Sequence, residues 1–340
     1  MRPEVPEGFE LRPVGVEDAG AIAGLINEVT LAEVGVPWTT AEEVRDQLTS
    51  PGRTHAPEQA LVVAADGRLA GYLQFWRPGP VAPRIQMLVS VAPRHWGLGL
   101  SAWLVRLGEQ RARDSVSGAP AGDRVALDVS HFTNNEPAGR LFAALGYTYI
   151  RTFWVMRIEL ASAPSTAPIP EGIRIRTFDP ERDETAVHAA LAEAFADHWG
   201  NPFPSFEDWR HEAIEGEGSG FDPKLWFVAV DGEEVVGAAL CRASVPRTED
   251  TAEVGELGVR APWRRRGVGL ALLQTAFAGF HRRGIGGAEL GVDAESPTGA
   301  TRLYERAGMH VAYSWDVWEK ELTPGLRARR SPGRPGPRRA

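Results

Sequence analysis

Hydrophobic and polar positions along the chain follow a pattern that occurs twice. An alternating segment, Phe9–Val14, leads into a helix-like apolar periodicity over residues 21–29. The same order recurs about 164 positions later, where Gly172–Phe178 leads into residues 185–195. Alternation with period two predicts a half-buried strand, and apolar spacing of three to four residues predicts an amphipathic helix. Each copy therefore opens with a strand followed by a helix.

Next in each copy, two apolar runs flank an Asp-Gly pair, at Asp66-Gly67 and at Asp231-Gly232. The runs are Leu61–Ala64 with Leu69–Tyr72 in the first copy, and Phe227–Val230 with Val235–Ala238 in the second. An Asp-Gly turn between apolar strands is a strong short-range signal for a β-hairpin. The sequence therefore predicts one hairpin in each copy.

A glycine-containing loop and a glycine-terminated helix complete each copy. Arg94–Gly99 opens an amphipathic run to Arg113, and Arg264–Gly269 opens another to Arg283. Further on, the two copies match again; the paired segments are Leu141–Tyr147 and Leu303–Met309. Matching segments that keep one order at a nearly constant offset indicate a duplicated domain.

The order of elements predicts an α/β (mixed α+β) fold with two tandem domains. Each domain is expected to be a mixed, mostly antiparallel sheet flanked by helices. The N-terminal domain is predicted over residues 8–160 and the C-terminal domain over residues 172–322. Residues 161–171 are rich in Pro, Ser and Ala and predict a linker. Residues 323–340, rich in Arg and Pro, predict a disordered tail.

Charge and composition exclude several classes of function. The tail holds six arginines and no acid, so the net charge of −8 for the whole chain is the sum of +6 on the tail and −14 on residues 1–322. So acidic a body is not expected to bind nucleic acid. The chain has no long apolar run and no signal-like start, which predicts a cytoplasmic protein without a membrane segment. Because Cys241 is the single cysteine, neither a disulfide framework nor a thiolate metal site is expected, and no metal is predicted.

The loop of the second copy has the chemistry of an anion site. It follows a strand and precedes a helix that is predicted to begin at about Val268. A helix N-terminus leaves N–H groups unpaired and carries the positive end of the dipole. Gly267 and Gly269 keep side chains away from those amides, and Arg264–Arg266 add positive charge. The loop therefore predicts a pyrophosphate cradle, while its spacing matches neither a Walker A loop nor a dinucleotide fingerprint.

Arg-x-x-Gly-x-Gly after a strand ending in Leu-x-Val, with Ala-x-x-Leu-Tyr-x-x-x-Gly-Met further on, resembles the GNAT superfamily of acyl-CoA-dependent N-acyltransferases. The matching residues of the second copy are Leu257, Val259, Arg264, Gly267, Gly269, Ala300, Leu303, Tyr304 and Gly308. Those of the first copy are Met87, Val89, Arg94, Gly97, Gly99, Asn135, Ala138, Leu141, Phe142 and Gly146. The two copies leave only the linker and the tail uncovered.

The resemblance implies acetyl-CoA as donor, with its pyrophosphate on the glycine loop and its pantetheine arm along a splayed strand. In the second copy it implies contacts from Leu257, Gly258, Val259, Arg264, Arg265, Arg266, Gly267, Val268, Gly269 and Leu270. In the first copy it implies a further set, Val89, Arg94, Gly97, Leu98, Gly99 and Asn135. Trp96 in the first loop, and Pro297 where the family has an asparagine in the second copy, depart from the family pattern.

Acyl transfer to an amine needs a base for the ammonium and an acid for the leaving thiolate. The resemblance implies a base at Glu253 or Glu256, and Tyr304 as the acid. Alternation puts the two glutamates on opposite faces of the strand, unless a bulge changes that. The first copy offers Pro83 and Gln86 in one register or Ile85 and Leu88 in another, with Phe142 in place of the tyrosine. The C-terminal copy is therefore predicted to be catalytic, and the N-terminal copy to be structural or to bind CoA without turnover.

The leading hypothesis is an N-acetyltransferase that acts on the primary amine of a small molecule by direct attack in a ternary complex. Aromatic residues near the predicted acceptor site, and the acids among them, would suit a cationic amine; they are Phe195, Trp199, Phe203, Phe206, Trp209, Asp197, Asp208, Glu212 and Glu215. Alternatives are an acceptor that is the cysteinyl amine of a glucosaminyl-inositol conjugate, a non-catalytic acyl-CoA sensor, and a protein acetyltransferase guided by the basic tail. The chain is expected to be a monomer that forms a pseudo-dimer of its two domains, or a homodimer.

Overall fold

The computed structural model of the chain describes residues 4–49, 59–76, 84–116, 124–165, 168–200, 203–216, 220–245, 250–296 and 298–323. The predicted disordered tail, beyond its first residue, and the positions Pro83 and Pro297 lie outside these ranges. Among the residues described, no helix is both long and apolar enough to cross a bilayer.

Both copies fold as the repeat predicts. The N-terminal copy contains β1 (Phe9–Arg12), α1 (Ala19–Val34), α2 (Ala41–Thr49), β2 (Ala60–Ala64), β3 (Leu69–Trp76), β4 (Arg84–Val91), α3 (Leu100–Val116), β5 (Val125–Phe132), α4 (Glu136–Ala144) and β6 (Thr148–Glu159). The C-terminal copy contains β7 (Ile173–Thr177), α5 (Glu184–Phe195), α6 (Phe206–Arg210), β8 (Phe227–Asp231), β9 (Glu234–Arg242), β10 (Thr251–Val259), α7 (Val268–Arg282), β11 (Gly287–Asp293), α8 (Ala300–Arg306) and β12 (His310–Thr323). The predicted hairpins are confirmed, since β2 pairs with β3 and β8 with β9, both antiparallel.

The described strands form one sheet of twelve, in the order β1-β2-β3-β4-β5-β12-β6-β11-β10-β9-β8-β7. The last strand of each copy is thus exchanged: β12 pairs with β5 of the N-terminal copy, and β6 pairs with β11 of the C-terminal copy. The two exchanged strands also pair with each other at the centre of the sheet. Exchange of identical elements is a known way to join two copies of a domain. The mixed α/β class with tandem domains is confirmed, and the two predicted sheets are continuous.

Helices cover each half of the sheet on both sides. In the C-terminal half, α5 and α6 pack on one face through Leu191 and Trp209, and α7 packs on the other through Leu272 and Phe277. The N-terminal half has the same layers, with α1 and α2 on one face and α3 on the other. Burial of these apolar stripes on either side of the sheet is what holds each half together.

The linker follows the surface of α7. The His281 ring nitrogen Nδ1 lies 2.9 Å from the Leu160 carbonyl, and the Gln274 amide donates to the Ser165 hydroxyl at 3.2 Å. The chain then enters β7, where the N–H of Ile173 donates to the Pro170 carbonyl. The described part of the linker is therefore held against the C-terminal half.

Candidate active site

In each half, two neighbouring parallel strands separate partway along their length. β10 pairs with β11 only from Thr251 to Glu253, although β10 continues to Val259. In the N-terminal half, β4 pairs with β5 only from Arg84 to Met87 and continues to Val91. The separated part of β10 contains Leu257, Gly258 and Val259. A splayed strand of this kind leaves main-chain groups on one side that an extended ligand can pair with.

A bulge in β10 decides how its two glutamates are oriented. The register with β9 shifts between Val254 and Glu256, so that Gly255 is the extra residue. Glu253 is opposite Arg242 and Glu256 is opposite Leu240. Residues two apart on β9 share a face, so both glutamates point to the same side of the sheet. That side is covered by α5 and α6, because Leu240 packs with Trp209.

Glu256 is a half-buried residue whose carboxyl group is turned inward. Its Oε2 atom is shielded from solvent and has no hydrogen-bond partner, and the same holds for Nε1 of the neighbouring Trp209. Burial raises the pKa of Glu256 to about 7, against smaller lowering effects of the Trp209 indole and the Arg242 guanidinium. A carboxyl group with a pKa near neutrality is suited to taking a proton from an ammonium group at physiological pH.

Glu253 lies in a different setting. Its carboxylate is 3.8 Å from Arg242, and 27% of the side chain remains exposed. This carboxylate therefore faces both a cation and solvent, unlike the shielded Oε2 atom of Glu256. Of the two glutamates left open by the sequence, Glu256 therefore has the environment of a base.

The glycine loop of the C-terminal half ends in the N-terminus of α7, which begins at Val268 as predicted. Gly267 has φ +92°, a left-handed conformation that favours glycine. The first hydrogen bond of α7 runs from the Ala271 N–H to the Gly267 carbonyl at 3.0 Å. The N–H groups of Val268, Gly269 and Leu270 thus have no partner within the helix, and together with the dipole they can bind an anion.

The three arginines of this loop differ in their contacts. Arg264 donates to the Val259 carbonyl at 3.0 Å and to the Ala194 carbonyl at 2.9 Å, which ties the loop to β10 and to the end of α5. Arg265 and Arg266 are exposed. Arg265 is also the one non-glycine residue of the described chain with a positive φ, +60°. Strained backbone of this kind concentrates at functional sites.

Tyr304 lies on the opposite side of the sheet from Glu256. It belongs to α8 and packs in the cluster formed by α7, with 7% of its surface exposed. Burial raises the pKa of its hydroxyl to about 12. The hydroxyl therefore keeps its proton throughout the neutral range and can donate it to a thiolate.

The hairpin registers show which residues of the N-terminal half correspond to the glutamates. Val91 is opposite Gly71, as Val259 is opposite Gly237. Counting back from these pairs, Leu88 corresponds to Glu256 and Gln86 corresponds to Glu253; β4 has no bulge. Neither residue is a carboxylate, and Phe142, at the Tyr304 position, is buried.

The loop of the N-terminal half is occupied by contacts within the protein. Arg94 is paired with Glu28 at 3.1 Å and donates to the Leu69 carbonyl at 2.6 Å. The Trp96 indole donates to the Val91 carbonyl at 2.6 Å, which is the place of the Arg264 contact in the other half. Leu98 is 70% exposed, so the tip of the loop is apolar. Gly97 and Gly99 flank that tip, whereas the other loop presents arginines.

Asn135 also serves the fold of the N-terminal half. Its carbonyl oxygen accepts the Ala138 N–H at 3.1 Å and so caps α4, while its amide donates to Glu33. Burial raises the pKa of Glu33. The side chain of Asn135 is therefore committed to α1 and α4.

Val89, the other residue of this half that was predicted to contact the cofactor from a strand, lies on the splayed part of β4.

Several acids near α6 have structural partners. Asp208 bonds to Ser205, which caps α6, and Glu215 pairs with Arg210. Glu212 is near enough to raise the pKa of Glu256 slightly. Within the described part of the chain, no group of three or more His, Cys, Asp or Glu side chains is arranged to hold a metal ion.

The sequence alone did not single out two arginines of the N-terminal copy that reach into the C-terminal half. The guanidinium carbons of Arg84 and Arg151 both lie over the Trp199 ring, at 4.2 and 4.4 Å from its centre. Arg151 also pairs with Asp293, at the end of β11. No local signal marks these residues, because they meet Trp199 only after β6 has crossed into the other half.

Comparison with known proteins agrees with this geometry. A family model described as "Acetyltransferase (GNAT) family" matches residues 25–147 and 188–309. A mycothiol acetyltransferase of Geodermatophilus obscurus is 32% identical over 322 residues, which is 92% of this chain and 97% of the relative.

Solved structures show the same architecture. A GCN5-related N-acetyltransferase from Sphaerobacter thermophilus is 38% identical with a TM-score of 0.79, over 95% of this chain and 98% of that one. A tandem GNAT protein of the clavulanic acid biosynthesis pathway shares the fold at 16% identity, with a TM-score of 0.71, over 94% of this chain and all of that one.

Proposed function

The chain belongs to the acetyltransferase (GNAT) family, as its two glycine loops indicated, and from this premise we propose that it transfers an acetyl group from acetyl-CoA to the primary amine of a small molecule. The acetyltransferase class itself follows from the family matches and the relatives. The proposal adds the donor, the acceptor class and the assignment of catalysis to the C-terminal half.

The observation that carries the proposal is that one splayed strand, β10, contains Glu256 and leads directly into the glycine loop. The Oε2 atom of Glu256 is shielded from solvent without a hydrogen-bond partner, and burial raises the pKa of the carboxyl group to about 7. Three residues further along β10, Val259 leads into the loop whose amides can hold a pyrophosphate. The N-terminal half has a splayed strand and a loop but no carboxylate at either position, which favours one active site per chain.

Direct attack by the amine is favoured over a covalent acetyl-enzyme. Cys241, the single cysteine, is fully buried in β9, and burial raises the pKa of its thiol far above neutrality. Such a thiol is not a nucleophile. Glu256 would take a proton from the ammonium group, so that the free amine attacks the thioester carbonyl. Tyr304 would protonate the thiolate of the departing CoA as the carbon–sulfur bond breaks, and the second proton lost by the nitrogen would restore the tyrosine hydroxyl.

A second candidate is mycothiol acetyltransferase activity itself, on the cysteinyl amine of a glucosaminyl-inositol conjugate. It is supported by the identity to the Geodermatophilus relative over almost the whole of both chains. This candidate keeps the same half, donor and catalytic groups and differs only in the acceptor.

The proposal is tested by a transfer assay on the full-length protein. Acetyl-CoA is mixed with a panel of primary amines that includes the cysteinyl conjugate and simple diamines, and N-acetyl products are identified by mass spectrometry. Mass detection is needed because the conjugate's own thiol would interfere with detection of released CoA. Acetylation of at least one amine supports the proposal; no product across the panel, with acetyl-CoA bound, would favour an acyl-CoA sensor.

We expect kcat/KM for the acceptor to rise with pH and to level off above a midpoint near pH 7. The base must be ionised to work, and burial raises the pKa of Glu256 to about 7. The measurement is a profile from pH 5.5 to 9.5 with two acceptors whose amine pKa values differ. If the midpoint of the profile stays near pH 7 with both acceptors, it reports a group of the enzyme. If the midpoint shifts with the pKa of the acceptor amine, the assignment of Glu256 as the base is contradicted.

We expect Tyr304→Phe to lower kcat about a hundredfold, which is within the usual contribution of a general acid. The fold should be retained, because Phe142 occupies the corresponding buried position in the other half. Steady-state kinetics check the loss, and Phe142→Tyr is the matched control. A Tyr304→Phe protein with full activity would remove the acid role.

A further inference from the structure

Trp199 belongs to the C-terminal copy, but its side chain packs against strands of the N-terminal copy. Its ring contacts the guanidinium groups of both Arg84, on β4, and Arg151, on β6. It also contacts Phe153, with ring centres 6.1 Å apart. Cations over an indole face at such distances attract the ring quadrupole. Trp199 is therefore held by two cations that its own copy does not supply.

The two arginines are themselves fixed by carboxylates. Arg84 bonds to Asp128 at 2.8 Å and to Glu319 at 2.6 Å, and Arg151 pairs with Asp293. Asp128 is buried, and the side chains of Arg84 and Arg151 are only 13% and 17% exposed. Because the edges of both guanidinium groups are taken by carboxylates, their flat faces remain to hold the indole.

The other end of the Trp199 segment lies against the proposed active site. Trp199 follows α5 by four residues, and the His198 N–H donates back to the Phe195 carbonyl at 2.9 Å. The last turn of α5 lies on the splayed part of β10, where a β-carbon at Gly258 would be 3.0 Å from Ala194 and 3.5 Å from Phe195. Arg264 of the glycine loop bonds to the Ala194 carbonyl.

We infer that Arg84 and Arg151 of the N-terminal copy are positioning residues for the acetyl transfer in the C-terminal copy, acting through Trp199 on the end of α5. This inference rests on the proposed function for its kinetic consequence. The end of α5 is on the face of the sheet that carries Glu256, and the acceptor must reach that face. The N-terminal copy, without catalytic groups of its own, thus shapes the acceptor side of its neighbour's site.

A matching residue in the N-terminal copy supplies the control. Trp38, in the connection between α1 and α2, contacts Trp315 and Tyr313 of β12, with ring centres 6.5 and 6.0 Å apart. Trp38 thus also contacts the other copy. The helix that precedes it, α1, covers the N-terminal half, which has no carboxylate base. Trp38 is connected to Trp199 through Trp315 and Phe153, not through the arginines. Loss of Trp38 should therefore disturb the junction between the copies but leave the arginine contacts of Trp199, and with them acceptor binding, in place.

The experiment compares Trp199→Ala, Trp199→Phe, Arg151→Met and Trp38→Ala in the full chain. For Trp199→Ala and Arg151→Met we expect the acceptor KM to rise about tenfold, in keeping with the loss of a desolvated cation–π contact. Values of kcat and the acetyl-CoA affinity by calorimetry should stay near those of the wild type. Trp199→Phe should recover part of the loss because it keeps a ring, and Trp38→Ala should leave the acceptor KM unchanged.

Hydrogen exchange of the peptide over residues 190–200 gives a readout that does not depend on activity. Faster exchange in Trp199→Ala and Arg151→Met, but not in Trp38→Ala, is expected. Unchanged exchange in all variants would overturn the inference, even if no amine is acetylated. An equal rise in acceptor KM for Trp38→Ala would also overturn it, since the junction alone would then explain the effect. Failure of the wild type to acetylate any amine would instead count against the proposed function.

Discussion

We expect Glu256→Gln to give a protein that is at least a hundredfold slower than the wild type and more stable than it at pH 8.5. The rate falls because glutamine keeps the shape of the side chain but cannot accept the proton of the ammonium group, and a general base contributes about two to four orders of magnitude. The stability rises because the substitution removes a charge from a carboxyl group whose Oε2 atom is shielded from solvent and has no hydrogen-bond partner.

The direction of the stability effect follows from the pKa of Glu256. In the folded protein it is raised from 4.5 to about 7 by burial. Below about pH 4.5 the group is protonated in both states and costs nothing. Between about pH 4.5 and 7 the unfolded chain ionises while the folded protein keeps the proton, so the wild type loses stability relative to the glutamine variant; above pH 7 both states are ionised and the loss levels off at about 3 kcal/mol. Calorimetric unfolding at pH 8.5 and pH 5 should show a larger gain at the higher pH.

Glu253→Gln is the control for this prediction. Glu253 is on the same face of β10 but is partly exposed and near Arg242. We expect it to change the unfolding temperature little at either pH and the rate less than threefold, since exposed ion pairs contribute under about 1 kcal/mol. If Glu253→Gln were the slower enzyme, or if Glu256→Gln unfolded more easily at pH 8.5, Glu256 would not be the buried base.

We expect Gly269→Glu to weaken acetyl-CoA binding at least a hundredfold. Its side chain would bring a carboxylate to the N-terminus of α7, where the free amides would otherwise bind phosphate. Loss of one or two charge-assisted hydrogen bonds, with like-charge repulsion added, costs about 3 kcal/mol or more. The variant should still fold, because a carboxylate is favourable in the first turn of a helix. The contact that must adjust is Leu303, 3.1 Å from the new β-carbon.

Gly99→Glu places the same group in the loop of the N-terminal half, directly before α3, where Gly99 corresponds to Gly267 in the other loop. Nothing lies within 4 Å of a β-carbon there, although φ of +82° makes any side chain cost about 1 kcal/mol of strain. Titration calorimetry of the wild type should give one acetyl-CoA per chain, lost in Gly269→Glu and kept in Gly99→Glu. The reverse pattern would move the cofactor to the N-terminal half.

The sequence was sufficient for those features that depend on local chemistry. The two Asp-Gly turns predicted the hairpins, and the glycine loop predicted the start of α7. The constant order of the repeated segments predicted the tandem fold. Each of these is set by residues close together in the chain, such as Gly67 in its turn or Gly267 at the start of its helix.

Features that depend on long-range pairing were not predictable. The choice between Glu253 and Glu256 rests on the bulge at Gly255, and the position of a bulge is set by the register with β9. The exchange of β6 and β12 could not be foreseen either, because each strand resembles the other and suits either place in the sheet. Arg264 was expected at the pyrophosphate, but its guanidinium group bonds to two carbonyls, a contact that exists only once α5 has packed on β10.

The exchange of β6 has a mechanical consequence for the segment rich in Pro, Ser and Ala. β6 lies beside β11 from Phe153 to Glu159, so the chain has already arrived in the C-terminal half when residue 161 is reached. That segment therefore never spans the gap between the halves, and it cannot act as a hinge. Separating the two halves would break the main-chain hydrogen bonds between β6 and β12. Cleavage of the chain at residue 165 would break none of these bonds, and the sheet would stay continuous. The two halves are therefore joined by the paired strands β6 and β12 and not by that segment.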